Sequence, residues 1–281
     1  MAMYPGLVFV NRLYEDIFMN LLGKSLAVGA MALAATGAQA TIKAGTPTQP
    51  TELVFNLWNP TSEVSYALDL GIIHNDFLDT KTEAKSWTIE SSAFTAFLNA
   101  TQADQPLYYN IASSNGLGNS LAALNYYGVL RTSNDANIDK VGTGSINNTV
   151  GMINVRGLNL NDQLGVNSGD INNNFDSFST KADIGYFENG WNDKLNNSSA
   201  FGSIGSEGEG NTLGFYWQNR EFASLGLTGI EHLGWWDFTI DFSNQTAMLN
   251  YTPVPVPAAV WLFGTGLVGL LAGKRRKVLS A

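Results

Sequence analysis

Cysteine is absent from the 281-residue chain and histidine occurs twice. Without cysteine there are no disulfide staples, no thiol catalysis and no thiolate zinc site, so the fold must rest on its core alone. The two histidines, His74 and His232, stand far apart and outside any metal-ligand spacing such as H-x-x-x-H, which points to structural or solvent-facing roles. No serine lies in a G-x-S-x-G context, so a hydrolase triad has no support in the sequence. Charge is scarce too, at 14% of residues, and basic charge scarcest. Between Thr41 and Pro257 there are 9 Lys and Arg against 22 Asp and Glu, a balance of −13. Such a surface repels phosphate backbones and excludes nucleic acid as a partner, while divalent cations, neutral sugars and basic surfaces stay open.

What the chain does hold is 29 glycines, 11% aromatic residues and many Asn, Ser and Thr, the balance of an extracellular β-protein with many turns. Trp236-Asp-Phe238-Thr-Ile240-Asp-Phe242 alternates strictly. With Ser243 to Gln245 as a turn and Thr246–Thr252 as the returning strand, it predicts a hairpin. Leu53–Trp58, Val64–Ile73, Leu107–Ala112, Asn125–Arg131, Met152–Leu160 and Thr212–Trp217 are further expected strands, with turn clusters at Asn59–Ser62 and Ser113–Gly116. One short helix is expected over Ser91–Ala103, capped by Ser91 or Ser92, with Phe94, Phe97 and Leu98 on one side. Ser198–Gly210 reads as a mobile surface loop. Together these predict an all-β domain over residues 41–252, a single β-sandwich of jelly-roll type with one short helix.

Both ends of the chain read as address signals. Met19 to Lys24 forms a basic n-region, Ser25–Ala35 an apolar stretch, and Ala38 and Ala40 an A-x-A cleavage site, so residues 19–40 are expected to be a secretory signal peptide. Residues 1–18 carry Glu15 and Asp16 where positive charge is required, and read as an upstream extension ahead of a true start at Met19. At the other end Ala258–Ala272 is free of charge and is followed by Lys274, Arg275, Arg276 and Lys277. Fifteen residues span about 23 Å as a helix, a short transmembrane segment that the basic stop would hold with its cations on the cytoplasmic side.

The segment Val254-Pro255-Val256-Pro257-Ala258-Ala-Val-Trp-Leu-Phe-Gly264-Thr-Gly266-Leu-Val-Gly269, followed by the basic stop, resembles a PEP-CTERM sorting signal of the subgroup that reads Val-Pro-x-Pro-Ala. The resemblance covers residues 253–281. It implies an exported substrate of an exosortase, an integral membrane enzyme of Gram-negative bacteria that make exopolysaccharide. Such a protein would be membrane-anchored in transit and then placed at the cell surface or in the extracellular matrix of a biofilm. Val256 stands where the main pattern has Glu. Pro255 and Pro257 donate no backbone hydrogen bond and hold their neighbours extended, which suits a peptide offered to a processing enzyme.

Within the ectodomain the sequence offers two weaker candidates. Asp170, Asn172, Asn174 and Asp176 place side-chain oxygens at alternate positions as a calcium loop does, but Phe175 stands at the turn-glycine position and Lys181 at that of the bidentate glutamate. A plain polar loop fits better, so calcium would be weak and no other cofactor is expected. Trp191, Tyr126, Tyr127 and Trp235 are candidates for stacking on sugar rings, although most tryptophans in a domain of this size belong to the core. The expectation is a non-catalytic β-domain associated with polysaccharide. A secreted polysaccharide-active hydrolase, which needs a converging acid pair, and a calcium-dependent adhesion module are the alternatives.

Overall fold

The computed structural model describes residues 42–43, 50–102, 105–116, 125–134, 146–163 (backbone only for 146–148), 176–189, 202–205, 207–219 and 229–255. The expected upstream extension, signal peptide, membrane helix and basic stop lie outside them. Among the described residues no helix is long and apolar enough to cross a membrane.

The described chain is mostly β. Ten strands form one antiparallel sheet: β1 (Glu52–Asn59), β2 (Val64–Ile73), β3 (Lys85–Ile89), β4 (Leu107–Asn115), β5 (Gly128–Ser133), β6 (Asp176–Thr180), β7 (Gly202–Ile204), β8 (Leu213–Gln218), β9 (Ile230–Asp241) and β10 (Thr246–Pro253). Their order is β3-β10-β9-β8-β5-β4-β1-β2-β6, with β7 beside the first half of β4. The sheet curls on itself. Phe55 of β1 and Phe238 of β9 stand four strands apart in the order, yet their rings approach to 4.8 Å, and Tyr109 of β4 meets Phe238 at 5.3 Å.

The inner face of the curl holds the main apolar core, with Leu53, Phe55 and Leu57 of β1, Tyr66, Leu68 and Leu70 of β2, and Trp236, Phe238 and Ile240 of β9. These are alternate residues along each strand, as the pleat requires. Edge-to-face rings such as Phe77 on Phe215 at 5.2 Å and Phe215 on Trp236 at 5.6 Å fill it. The predicted hairpin of β9 and β10 is present, Trp236 facing Tyr251 and Phe238 facing Leu249.

Three helices accompany the sheet among the described residues, not one. α1 (His74–Asp79) follows β2 directly, and α2 (Ser92–Ala100) is the expected helix, with the Ser91 hydroxyl accepting from the Phe94 N–H at 3.0 Å and Phe94, Phe97 and Leu98 buried. α3 (Ile146–Gln163) occupies the stretch expected to be a strand over Met152–Leu160. Hydropathy misled there because this helix buries Asn154, Arg156 and Asn161 together with Val150, Ile153 and Leu160, and leaves Val155 and Leu158 43% exposed each. A helical stripe that includes buried amides and a guanidinium does not read as an apolar face.

Three other local expectations are corrected. Ser113 to Asn115 form the end of β4 instead of a turn, and pair with β5. β3 and β6 have no counterpart among the expected strands. The expected surface loop Ser198–Gly210 contains β7, and its C-terminal end is tied to β9 by Gly210 N–H to Phe238 O at 2.9 Å and Ile240 N–H to Gly208 O at 2.7 Å. A Cβ on Gly208, at φ +85°, would lie 1.9 Å from the Ile240 carbonyl oxygen, so glycine is required for that approach.

Candidate functional site

Among the described residues the outer face of the sheet divides into a covered half and an open half. The open half is carried by β8, β9, β10 and β3. From Leu213 to Phe215 the register of β8 against β9 is regular, but between Phe215 and Tyr216 it shifts, so that Phe215 faces Gly234 and Tyr216 faces His232. Leu233 is the extra residue of a β-bulge. Its carbonyl is not lost, since it accepts the Tyr251 hydroxyl at 2.7 Å and the Val254 N–H at 3.0 Å. Gly234 is needed at the kink, because a Cβ there would come within 2.3 Å of the Thr252 carbonyl oxygen.

The bulge brings His232 and Trp235, three residues apart, onto the same outer face. Tyr216 and His232 stack at 4.7 Å and 27°, and His232 meets the edge of Trp235 at 4.7 Å and 86°. All three are half-buried. Burial holds the His232 imidazole below its ordinary range, so the ring is neutral at pH 7. Across β10 and β3 the same face continues in polar side chains. Thr252 stands opposite Trp235, Asn250 opposite Asp237, and Ser86 opposite Asn250. The Thr212 hydroxyl donates to Asp237 Oδ1 at 2.5 Å and the Ser86 hydroxyl to Asn250 Oδ1 at 2.7 Å.

The covered half lies under α3 and the 181–189 turns, and it is strongly polar. Arg156 of α3 is fully buried. Its Nε donates to Asn56 Oδ1 at 3.2 Å, its Nη1 to the carbonyls of Gly185 and Tyr186, and its guanidinium lies 5.7 Å from the Phe187 ring centre. Asn56 in turn donates to Asn110 Oδ1 at 3.1 Å. Burial pushes Arg156 down to about 9, still cationic at neutral pH, and among the described residues no carboxylate pairs with it. Asn161 clips the start of the domain, accepting the Ile42 N–H at 2.9 Å and donating to the Ile42 carbonyl at 2.7 Å.

On this same face Glu52 and Asp69 are 0% and 1% exposed, and close enough for the charge on Glu52 to raise Asp69. Glu52 Oε2 accepts the Lys43 N–H at 2.7 Å and Asp69 Oδ1 the Gly71 N–H at 2.8 Å, which leaves Glu52 Oε1 and Asp69 Oδ2 without donors. A proton held between the two carboxyls would supply the donor that these oxygens lack. Burial, and then the Glu52 charge, push Asp69 up to about 8, and burial raises Glu52 as well. His74 is also sealed, its Nδ1 3.0 Å from Ser113 Oγ, and burial pulls it down to about 3. With no solvent access, neither the acid pair nor the Ser113–His74 contact can reach a polymer.

Of the residues singled out from the sequence, Trp235 stands in the open aromatic strip. Tyr126 is half-buried elsewhere, donating to Asp79 Oδ1 at 2.9 Å. Tyr127 is 1% exposed, packed with Ala112, Val129 and Phe187, and presents no stacking face: β5 begins one residue later and turns it inward under α3. Trp191 lies outside the described residues, as do Asp170, Asn172 and Asn174. Asp176 accepts the hydroxyls of Tyr66 and Ser91, joining β6 to β2 and the cap of α2. Among the described residues no group of three or more His, Asp or Glu is arranged to hold a metal. Val254 and Pro255 are exposed and follow β10 directly. Val256, Pro257, Ala258, the cleavage alanines and Lys274 to Lys277 are outside the described residues. Sequence reasoning missed Tyr216 and His232, since only the bulge aligns them with Trp235. No family model, curated protein or solved structure matches the chain.

Proposed function

We propose that this is an exported surface or matrix protein of a Gram-negative bacterium, cleaved after Ala40, sorted by an exosortase through Val254 to Ala258, and associated through a non-catalytic β-domain with exopolysaccharide. The C-terminal helix and Lys274 to Lys277 hold it in the membrane until processing. The observation that carries the reading is the exit of the chain: β10, paired on both sides, ends at Pro253, and the Val254 N–H bonds to Leu233, so the Val-Pro-Val-Pro-Ala segment begins where the sheet ends, without a linker. At the other end, Asn161 holds Ile42, two residues after the expected cleavage site, by both its backbone N–H and its carbonyl. Contact between β1 and β9 supports describing the curl as a sandwich of jelly-roll type. Glu52 and Asp69, an acid pair among the described residues, are closed to solvent and lend the hydrolase alternative no support.

The test uses the full chain with a C-terminal epitope tag in an exopolysaccharide-producing host that carries an exosortase. The wild type is expected to lose the tag and reach the surface, and the double variant Pro255→Ala, Pro257→Ala to stay tagged in the membrane fraction. Equal processing of both chains would reject the sorting assignment.

A further inference from the structure

We infer that the strip Tyr216–His232–Trp235, with Thr252, Asn250 and Asp237 beside it, is the saccharide-binding surface of this domain and takes a pyranose unit of an uncharged polysaccharide. The inference rests on the association with exopolysaccharide proposed above and gives it a location and a ligand class.

Three observations carry it. First, the aromatic rings are on the solvent side of β8 and β9, not in the core. Trp236, next in sequence to Trp235, is 0% exposed on the inner face, whereas Trp235, Tyr216 and His232 keep part of their surface in water. The ring planes are fixed by the Tyr216–His232 stack and the His232–Trp235 edge contact, so a sugar would find the platform already formed. Second, the flank is chemically suited to hydroxyl groups. Among the described residues Asp237 Oδ2, the Asn250 amide N–H groups and the Thr252 hydroxyl have no hydrogen-bond partner, while Asp237 Oδ1 and Asn250 Oδ1 are held in place by Thr212 and Ser86. Two acceptors and donors beside an aromatic face are the recurring chemistry of a sugar hydroxyl pair. Third, charge selects the ligand. Asp237 is in the strip, His232 is kept neutral by burial, and the domain carries a balance of −13, so an acidic polymer is repelled and an uncharged one is not.

The experiment is affinity electrophoresis of the full chain through native gels containing either a neutral β-glucan or alginate as the acidic comparison. The wild type should be retarded by the glucan and not by alginate. Trp235→Ala and Tyr216→Ala should each weaken that retardation at least tenfold, while Tyr126→Ala, on a different part of the surface, leaves it unchanged. Thr252→Lys guards against misfolding of the aromatic variants: this exposed position tolerates a long side chain, which would cover the platform and abolish retardation with Tm unchanged. Glucan binding that survives Trp235→Ala and Thr252→Lys would overturn the site while leaving polysaccharide association standing. Retardation by alginate alone would overturn the ligand class. No retardation by either polymer would reject the site and the association together.

Discussion

Every strand of the curled sheet sends alternate residues to an inner and an outer face, and the two faces are built from different chemistry. On β1, Leu53, Phe55 and Leu57 point into an apolar core, while Glu52, Asn56 and Trp58 point to the layer under α3. Both sets are largely shut off from water. The inner set gains by leaving it, at about 25 cal/mol per Å² of apolar surface. The polar members of the outer set only recover what desolvation took, through bonds such as Arg156 to Asn56 and Asn56 to Asn110. Inner contacts therefore stabilise in bulk, and outer ones specify which helix lies where.

Trp236→Ala removes a fully buried ring in contact with Phe215, Trp87 and Tyr251, and should cost about 3–5 kcal/mol by chemical denaturation. Arg156→Ala leaves Asn56 Oδ1 and the Gly185 carbonyl without a donor, and the Tyr186 carbonyl with only the Asn189 N–H, and should cost about 2–3 kcal/mol. Its losses should concentrate under α3, read as faster amide exchange in α3 than in β9. Uniform exchange across both faces would show that the faces do not act separately.

The third prediction concerns pH. Folded Asp69 keeps its proton up to about 8, while in the unfolded chain it ionises near 3.8, so the folded state holds the extra proton between those values and stability falls as pH rises through them. His74 works in the opposite sense. Its folded value of about 3 against 6.5 makes the unfolded state the one that binds the proton, so stability is lost as pH falls below 6.5. The two slopes oppose each other between about pH 4 and 6.5, and only the Asp69 slope acts from 6.5 to 8. Relative to wild type, Asp69→Asn should gain in Tm steadily from pH 5 to pH 8; a parallel pair of curves would show that the acid pair holds no extra proton. The smallest effect is expected for Trp235→Ala, less than about 1 kcal/mol, because this tryptophan is on the open face. A cost equal to that of Trp236→Ala would contradict the assignment of the two neighbours to opposite faces.

Most of the inner face was legible in the sequence because the pleat imposes a period of two. The predicted hairpin, the Val64–Ile73 strand and the Ser91 cap each follow from a local pattern and stand in the structure. α3 was not legible as a helix, since its buried stripe contains Asn154, Arg156 and Asn161, whose burial is favourable only with Asn56, Gly185 and Ile42 already in place. The candidate site was legible only in Trp235. Tyr216 and His232 join it through the one-residue bulge at Leu233, which no alternation pattern records.

What the sequence determined by itself is therefore what depends on neighbours along the chain: strand periodicity, the turn at residues 243–245, the helix cap, the acidic balance, and the address-like patterns at both ends. Only the tertiary structure decided which polar side chains could be buried, which aromatic rings stayed in water, and that β1 would meet β9 across the core. Those outcomes depend on partners far along the chain, 119 residues apart for Ile42 and Asn161 and 170 for Lys81 and Tyr251, and a buried hydrogen bond is favourable only once the fold has brought both of its ends together.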